Sequence, residues 1–125
     1  MLLNVAVICV SACLGALARW GLSTWLNPQG LLPWGTLAVN LIGGLLIGIA
    51  LGVFARWPDI DPAWRLLVVT GFLGSLTTFS SFSAEVVGML VSGRTGLAFG
   101  TIALHLGGSL LFTWLGLRSV SLFTA

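Results

Sequence analysis

Charge is what this chain has least of. Of its 125 residues only 6% are Asp, Glu, Lys or Arg, while 58% are hydrophobic and the mean hydropathy is +1.11. An ordinary soluble domain carries about a quarter charged residues on its wet surface, so a soluble fold is excluded and a membrane protein is implied. Lysine is missing altogether. The basic residues are Arg19, Arg56, Arg65, Arg94 and Arg118, scattered singly, and no patch exists that could grip nucleic acid. The scarcity of cysteine excludes a disulfide framework: Cys9 and Cys13 stand four apart on one face of an apolar helix, as small packing residues. Nor is there a nucleotide-binding glycine loop, a cluster of metal-ligating side chains or a nucleophile–base–orienter set. His105 and Glu85 are the only candidate acid–base residues, too little for an enzyme. No positive residue precedes the first apolar run, so VSAC (10–13) and ALA (16–18) do not read as processing sites. That run reads as a retained transmembrane helix.

What is present is enough apolar sequence for four crossings, since each needs about 20 residues. The spans run from about Asn4 to Leu26, Trp34 to Ala55, Ala63 to Ser92 and Leu97 to Ser119, as one all-α domain over residues 1–125. NPQGLLP ends the first span with Pro28, Gly30 and Pro33, and RWPDIDP ends the second. Most of the six tryptophans lie near span ends, as interfacial belts require. The third span is too long. Thirty residues of straight helix cover about 45 Å against about 30 Å of hydrocarbon, so it must tilt, protrude or break. Its centre reads TGFLGSLTTFSSFSAE (70–85), and Gly71 and Gly74 are where a break costs least. An unwound turn at membrane depth is tolerated only where protein or water covers it, which marks the segment as a binding site.

Arginine counts on the two sides of a four-span topology are three (Arg56, Arg65, Arg118) against two (Arg19, Arg94). That bias is too weak to set one orientation, so the chain is expected to insert both ways up and to pair as an antiparallel two-fold homodimer.

Three spans carry polar columns. Thr36, Asn40, Gly44, Gly48 and Gly52 recur every four residues on the second, a small-residue seam headed by an amide. Thr101, His105, Ser109 and Thr113 repeat that spacing on the fourth, and Thr78, Ser81 and Glu85 cluster on the third beside Phe82 and Phe79. Singly, such hydroxyls mostly bond back to a carbonyl one turn earlier, and an Arg19 near a span end can snorkel. Together they suggest a polar path. Neutral donors without a ring of carboxylates suit an anion, and aromatic ring edges are partly positive.

GFLGSLTTFSSFSAE resembles the signature G-x-x-G-G-x-[ST]-T-F-S-[ST]-F-S-x-E of the Fluc (CrcB) family of bacterial fluoride channels. ARW (18–20), GTLAVNLIGG (35–44), IDPAWR (60–65) and GS (108–109) fit it too, so the likeness runs along nearly the whole chain. Ser75 departs from it, standing where the family has a second glycine. The resemblance implies a dual-topology antiparallel dimer with two ion pathways in the bacterial inner membrane, exporting fluoride passively. It implies a sodium ion at the dimer centre, held by the carbonyls of Gly74 and Thr77, and a fluoride path past Phe79 and Phe82 from both subunits. Asn40 takes the place of the pore asparagine and Arg19 that of the vestibule arginine. Ser81, Glu85, Ser109 and Thr113 supply a polar track. A carboxylate repels fluoride, so Glu85 is expected to be protonated or bonded to Ser81 or Thr78. Two rival readings remain: a small dual-topology multidrug exporter, which needs an acid in the first span where this chain has none, and a non-conducting membrane scaffold, which leaves the polar columns without a purpose.

Overall fold

The computed structural model describes residues 1–27 and 32–123. Pro28 and Gly30, two of the expected breakers after the first span, lie outside the described residues. Among those described, four helical spans are long and apolar enough to cross a membrane: Leu2–Leu26, Trp34–Arg56, Pro62–Val91 and Thr95–Phe123. The first, second and fourth are single helices, α1 (Leu2–Leu26), α2 (Trp34–Arg56) and α6 (Thr95–Phe123). The third is assembled from α3 (Pro62–Arg65), a π-helical stretch (Leu66–Leu73), α4 (Gly74–Leu76) and α5 (Phe79–Val91).

Local chemistry explains the turns. The Asn27 side chain at the end of α1 accepts from the Gly35 amide at 2.8 Å, tying α1 to the first turn of α2. Asp61 caps α3 by accepting from the Ala63 amide at 2.8 Å, with Pro62 next in line, where its missing N–H costs nothing. Gly93 has φ +76°, and the bonds from Gly93 N–H to the Leu90 carbonyl and from Arg94 N–H to the Met89 carbonyl close α5 in a Schellman turn. That reversal launches α6.

Close packing of backbones orders the bundle. A Cβ on Gly48 would overlap the Thr113 carbonyl, and one on Gly116 would overlap the Leu45 carbonyl, so α2 and α6 lie nearly backbone to backbone. The small-residue seam of α2 is thus covered by α6 of the same chain. On the other side, α1 rests on the π-helical stretch, where a Cβ on Gly71 would overlap the Ser11 hydroxyl and one on Gly15 the Phe72 carbonyl. Two apolar clusters fill the remainder: Val39, Leu73 and Leu76 near the centre, and Phe82, Val86, Met89 and Ala98 between α5 and α6.

The over-long third span is resolved in two ways. Winding with i→i+5 bonds over Leu66–Leu73 puts more residues in each turn and shortens the axis per residue. The chain then leaves helical conformation at Thr77 (φ −79°, ψ 156°) and Thr78 (φ −151°, ψ 114°). Gly71 and Gly74, the expected points of fracture, are both helical.

Candidate functional site

The extended step at Thr77–Thr78 is held from outside its own helix. Asn40 on α2 accepts the Thr78 N–H on its Oδ1 at 2.8 Å and donates from its Nδ2 to the Thr78 carbonyl at 3.0 Å. A side-chain amide therefore pairs with Thr78 as a neighbouring strand residue would. Gly43, one turn along α2, makes the room: a Cβ there would overlap the Thr77 methyl. Thr77 anchors the end of α4 by donating its N–H and hydroxyl to the Leu73 carbonyl at 3.1 and 2.9 Å. Thr78 opens α5 as its N-cap, its hydroxyl oxygen accepting from the Ser81 N–H at 3.2 Å.

Two carbonyls are displaced from their ordinary partners by this arrangement. In a continuous α-helix the Thr78 amide would serve the Gly74 carbonyl and the Ser81 amide the Thr77 carbonyl. Here Thr78 N–H goes to Asn40 and Ser81 N–H to the Thr78 hydroxyl. Gly74 and Thr77 are the two residues whose carbonyls the sequence likeness assigned to sodium. Oxygen donors of this kind suit a hard monovalent cation, so the residues fit the ion. Ser75, the departure from the family pattern, donates its hydroxyl to the Gly71 carbonyl at 2.8 Å and is absorbed within the helix.

An open groove of about 480 Å³ lies against this step, with Asn40, Gly74, Thr77, Phe79, Phe82, His105, Ser109 and Thr113 in its walls. Phe79 and Phe82 meet edge to face at 5.5 Å between ring centroids. Their surroundings differ: Phe82 is 7% exposed and Phe79 is 73% exposed. Ser81 and Glu85 continue along α5 outside the groove walls, and Arg19 stands half-buried on α1, also outside them. Glu85 differs from expectation in its partner. The Thr36 hydroxyl of α2 donates to its Oε1, whereas Thr78 and Ser81 bond to each other at 3.0 Å. Thr78 is held at the N-cap position, so its hydroxyl serves the first turn of α5 rather than an acid further along the helix. Glu85 Oε2 is buried and finds no partner among the described residues.

A hydroxyl has one hydrogen to give, and the structure shows where several of them are spent. Thr113 donates to the Ser109 carbonyl at 2.8 Å, Ser83 to the Phe79 carbonyl at 2.9 Å, and Thr77 and Ser75 likewise bond back along their helix. Thr78 gives its hydrogen to the Ser81 oxygen at 3.0 Å, which leaves the hydrogen of Ser81 to spare. His105 is the residue that sequence reasoning left without a place. It is 4% exposed, stacks on Phe82 with ring centroids 4.5 Å apart, and lies with Nδ1 3.2 Å from Asn40 Nδ2. Its four-residue spacing to Ser109 signalled the face it shares, but not the contact with Asn40, which spans 65 residues of sequence.

Comparison with known proteins adds the last observation. A family model described as CrcB-like protein, Camphor Resistance (CrcB), matches residues 6–117. The chain is 76% identical over 119 residues to a protein of Paracidovorax citrulli, covering 95% of this chain and 94% of that one. It is 62% identical over 125 residues to a protein of Variovorax paradoxus, covering 100% of both. A Pseudomonas aeruginosa protein is 54% identical over 119 residues, covering 94% of each. All three relatives bear the name fluoride-specific ion channel FluC.

Proposed function

The chain belongs to the CrcB-like family, and from that premise we propose that it is a fluoride-selective channel that lets the ion leave the cytoplasm passively. It is a multi-pass membrane protein, not an enzyme. The single observation that carries the assignment is the 76% identity, over 119 residues, to a protein named for fluoride conduction. The geometry supplies a way for such a protein to work.

Fluoride binds water tightly, so a path must offer replacement donors wherever the hydration shell is stripped. The groove beside Thr77–Thr78 offers the Phe79 and Phe82 ring edges, with Ser109 further along α6. Behind Phe82 the track continues on α5 with the Ser81 hydroxyl and Glu85, whose Oε1 is pinned by Thr36. Asn40 shapes the path by holding the extended step, with one amide hydrogen donated to the Thr78 carbonyl and His105 Nδ1 3.2 Å from the same nitrogen. Arg19 belongs to the approach on α1, where a fixed positive charge raises the local anion concentration.

The functional unit in this reading is an antiparallel dimer in the bacterial inner membrane, the two copies inserted in opposite senses. Two features support it. Phe79 is a large ring that is 73% exposed beside the groove, an apolar surface that a second copy would cover. Gly74 is exposed, and a Cβ there would meet nothing closer than the Val69 carbonyl at 3.4 Å, so no neighbour in its own chain demands a glycine. A second copy packed at the step supplies that demand. The carbonyls of Gly74 and Thr77, freed of their helical amides, would hold sodium between the copies. When bound, the ion supplies a fixed positive charge that offsets the desolvation of the passing anion.

An inside-negative potential drives anion exit by about 2.3 kcal/mol per charge per 100 mV, so no coupled fuel is needed. Reconstitution in fluoride-loaded liposomes tests the reading. Rapid fluoride efflux with chloride retained is the expected result, proton-coupled uptake of cationic drugs would assign an exporter instead, and silence in both would leave a scaffold.

A further inference from the structure

The Asn40 amide can be oriented in only one way. Its Oδ1 faces the Thr78 N–H at 2.8 Å and its Nδ2 faces the Thr78 carbonyl at 3.0 Å. Turning the amide over would set oxygen against oxygen and N–H against N–H. The same Nδ2 lies 3.2 Å from His105 Nδ1, and with one hydrogen on the Thr78 carbonyl it has a second to donate there. Nδ1 must then present a lone pair. In a neutral imidazole this leaves the proton on Nε2, which is buried and has no partner among the described residues. The imidazole ring is also stacked on Phe82 at 4.5 Å with 26° between planes, so one side chain abuts both the clamp on Thr78 and a ring of the groove.

We infer that His105 is a positioning residue: as the neutral tautomer with bare Nδ1 it accepts from Asn40, holds that amide against Thr78, and so keeps the extended step and the Phe82 ring in place. Without an acceptor at this position the second Asn40 hydrogen is buried unpaired. The amide then gains by rotating away from Thr78, and the step is free to rewind toward continuous helix. The role needs an acceptor of the right reach, not an imidazole as such, and a glutamine carbonyl can serve. An apolar side chain of similar bulk keeps the packing against Phe82 but offers Asn40 nothing.

His105 is the only histidine of the chain, so its nitrogens can be labelled without ambiguity. In solid-state NMR of the full-length protein in lipid bilayers at mildly alkaline pH, ¹⁵N-histidine is expected to show Nε2 protonated and Nδ1 bare. In N40A the Nδ1 resonance should move and the second tautomer appear. Protonated Nδ1 in the unaltered protein, or spectra that N40A leaves unchanged, would overturn the assignment. In fluoride-loaded liposomes, H105Q is expected to keep efflux within about threefold of the unaltered protein. H105L should lose about tenfold or more, the size expected when a buried hydrogen-bonding group is left unpaired. Full flux through H105L, or equal loss in H105Q and H105L, would refute a positioning role. The flux arm rests on the fluoride-channel reading, whereas the spectra do not. A protein that conducts no fluoride yet shows the bare Nδ1 would lose that reading and keep the Asn40–His105 contact.

Discussion

At the scale of single residues, polar side chains divide by where their hydrogens go rather than by where they stand. Ser109 and Thr113 share the groove wall on α6 and looked equivalent in the sequence. They are not. The Thr113 hydroxyl is spent on the Ser109 carbonyl at 2.8 Å, so in place it offers a passing anion only lone pairs and a methyl. We expect Thr113→Val to leave fluoride efflux within about twofold, while Ser109→Ala lowers it by about tenfold to a hundredfold, the loss of one hydrogen bond to a charged species. Liposome efflux with both variants decides it, and the reverse order would show that Thr113 turns its hydroxyl to the ion. The same accounting explains why some site residues were legible in the sequence and others were not. Asn40 stood out as an amide heading an apolar seam, and Phe79 and Phe82 stood out through their setting among hydroxyls. The partner of Glu85 did not, because Thr36 lies 49 residues away and only the packing of α5 on α2 brings the two together.

At the scale of elements, the four spans were readable because length and apolarity are summed over twenty residues or more, and no single contact can override the sum. For the over-long third span the sequence left a tilt, a protrusion or a break open. Backbone permissiveness pointed to Gly71 and Gly74, yet the chain leaves the helix at Thr77 and Thr78, three residues beyond Gly74. A long-range amide decides the location, and local propensity does not. Gly71 is a glycine for another reason, the close approach of Ser11 on α1. The π-helical stretch left no mark in the sequence, since its apolar residues are compatible with either winding. The α2 seam makes the strongest prediction at this scale. Gly48→Ala would force its new methyl into the Thr113 carbonyl, and overpacking of a close backbone contact costs about 1–3 kcal/mol. Gly100, on α6, has nothing within 4 Å of a Cβ, so Gly100→Ala should be neutral or stabilise by up to about 1 kcal/mol. Reversible unfolding in mixed detergent should separate the two. Equal midpoints would mean that α2 and α6 do not cross at Gly48.

At the scale of the whole molecule, the proposed dimer would close the open groove beside the extended step at Thr77–Thr78. Thr78 is only 7% exposed and both its backbone groups bond to Asn40, so what a second copy would cover is the exposed Phe79 and Gly74 beside the step. Gly74 gives the first check. Because its own chain leaves room for a methyl, Gly74→Ala should fold and insert as a protomer while losing dimer and fluoride flux together. Monomeric protein by single-molecule photobleaching, with flux reduced at least about tenfold, is the expected pair of results; intact dimers with full flux would remove the reason for a glycine there. The second check concerns orientation. The proposed antiparallel pair needs both orientations, and arginine counts of three against two bias the insertion only weakly. Ser92→Arg with Thr95→Arg loads the turn before α6, and Asp59→Arg with Ser121→Arg loads the opposite side of the bilayer. Each pair should hold the chain in one orientation, opposite for the two, and neither alone should conduct, because the proposed pathway needs an inverted copy at the Thr77–Thr78 step. Expressed together, the two variants should restore efflux to within about twofold of the unaltered protein, since each then finds the antiparallel partner it lacks. Full flux from either variant alone, once labelling has shown a single orientation, would mean that one sense of insertion suffices and that the groove is closed by something other than an inverted copy.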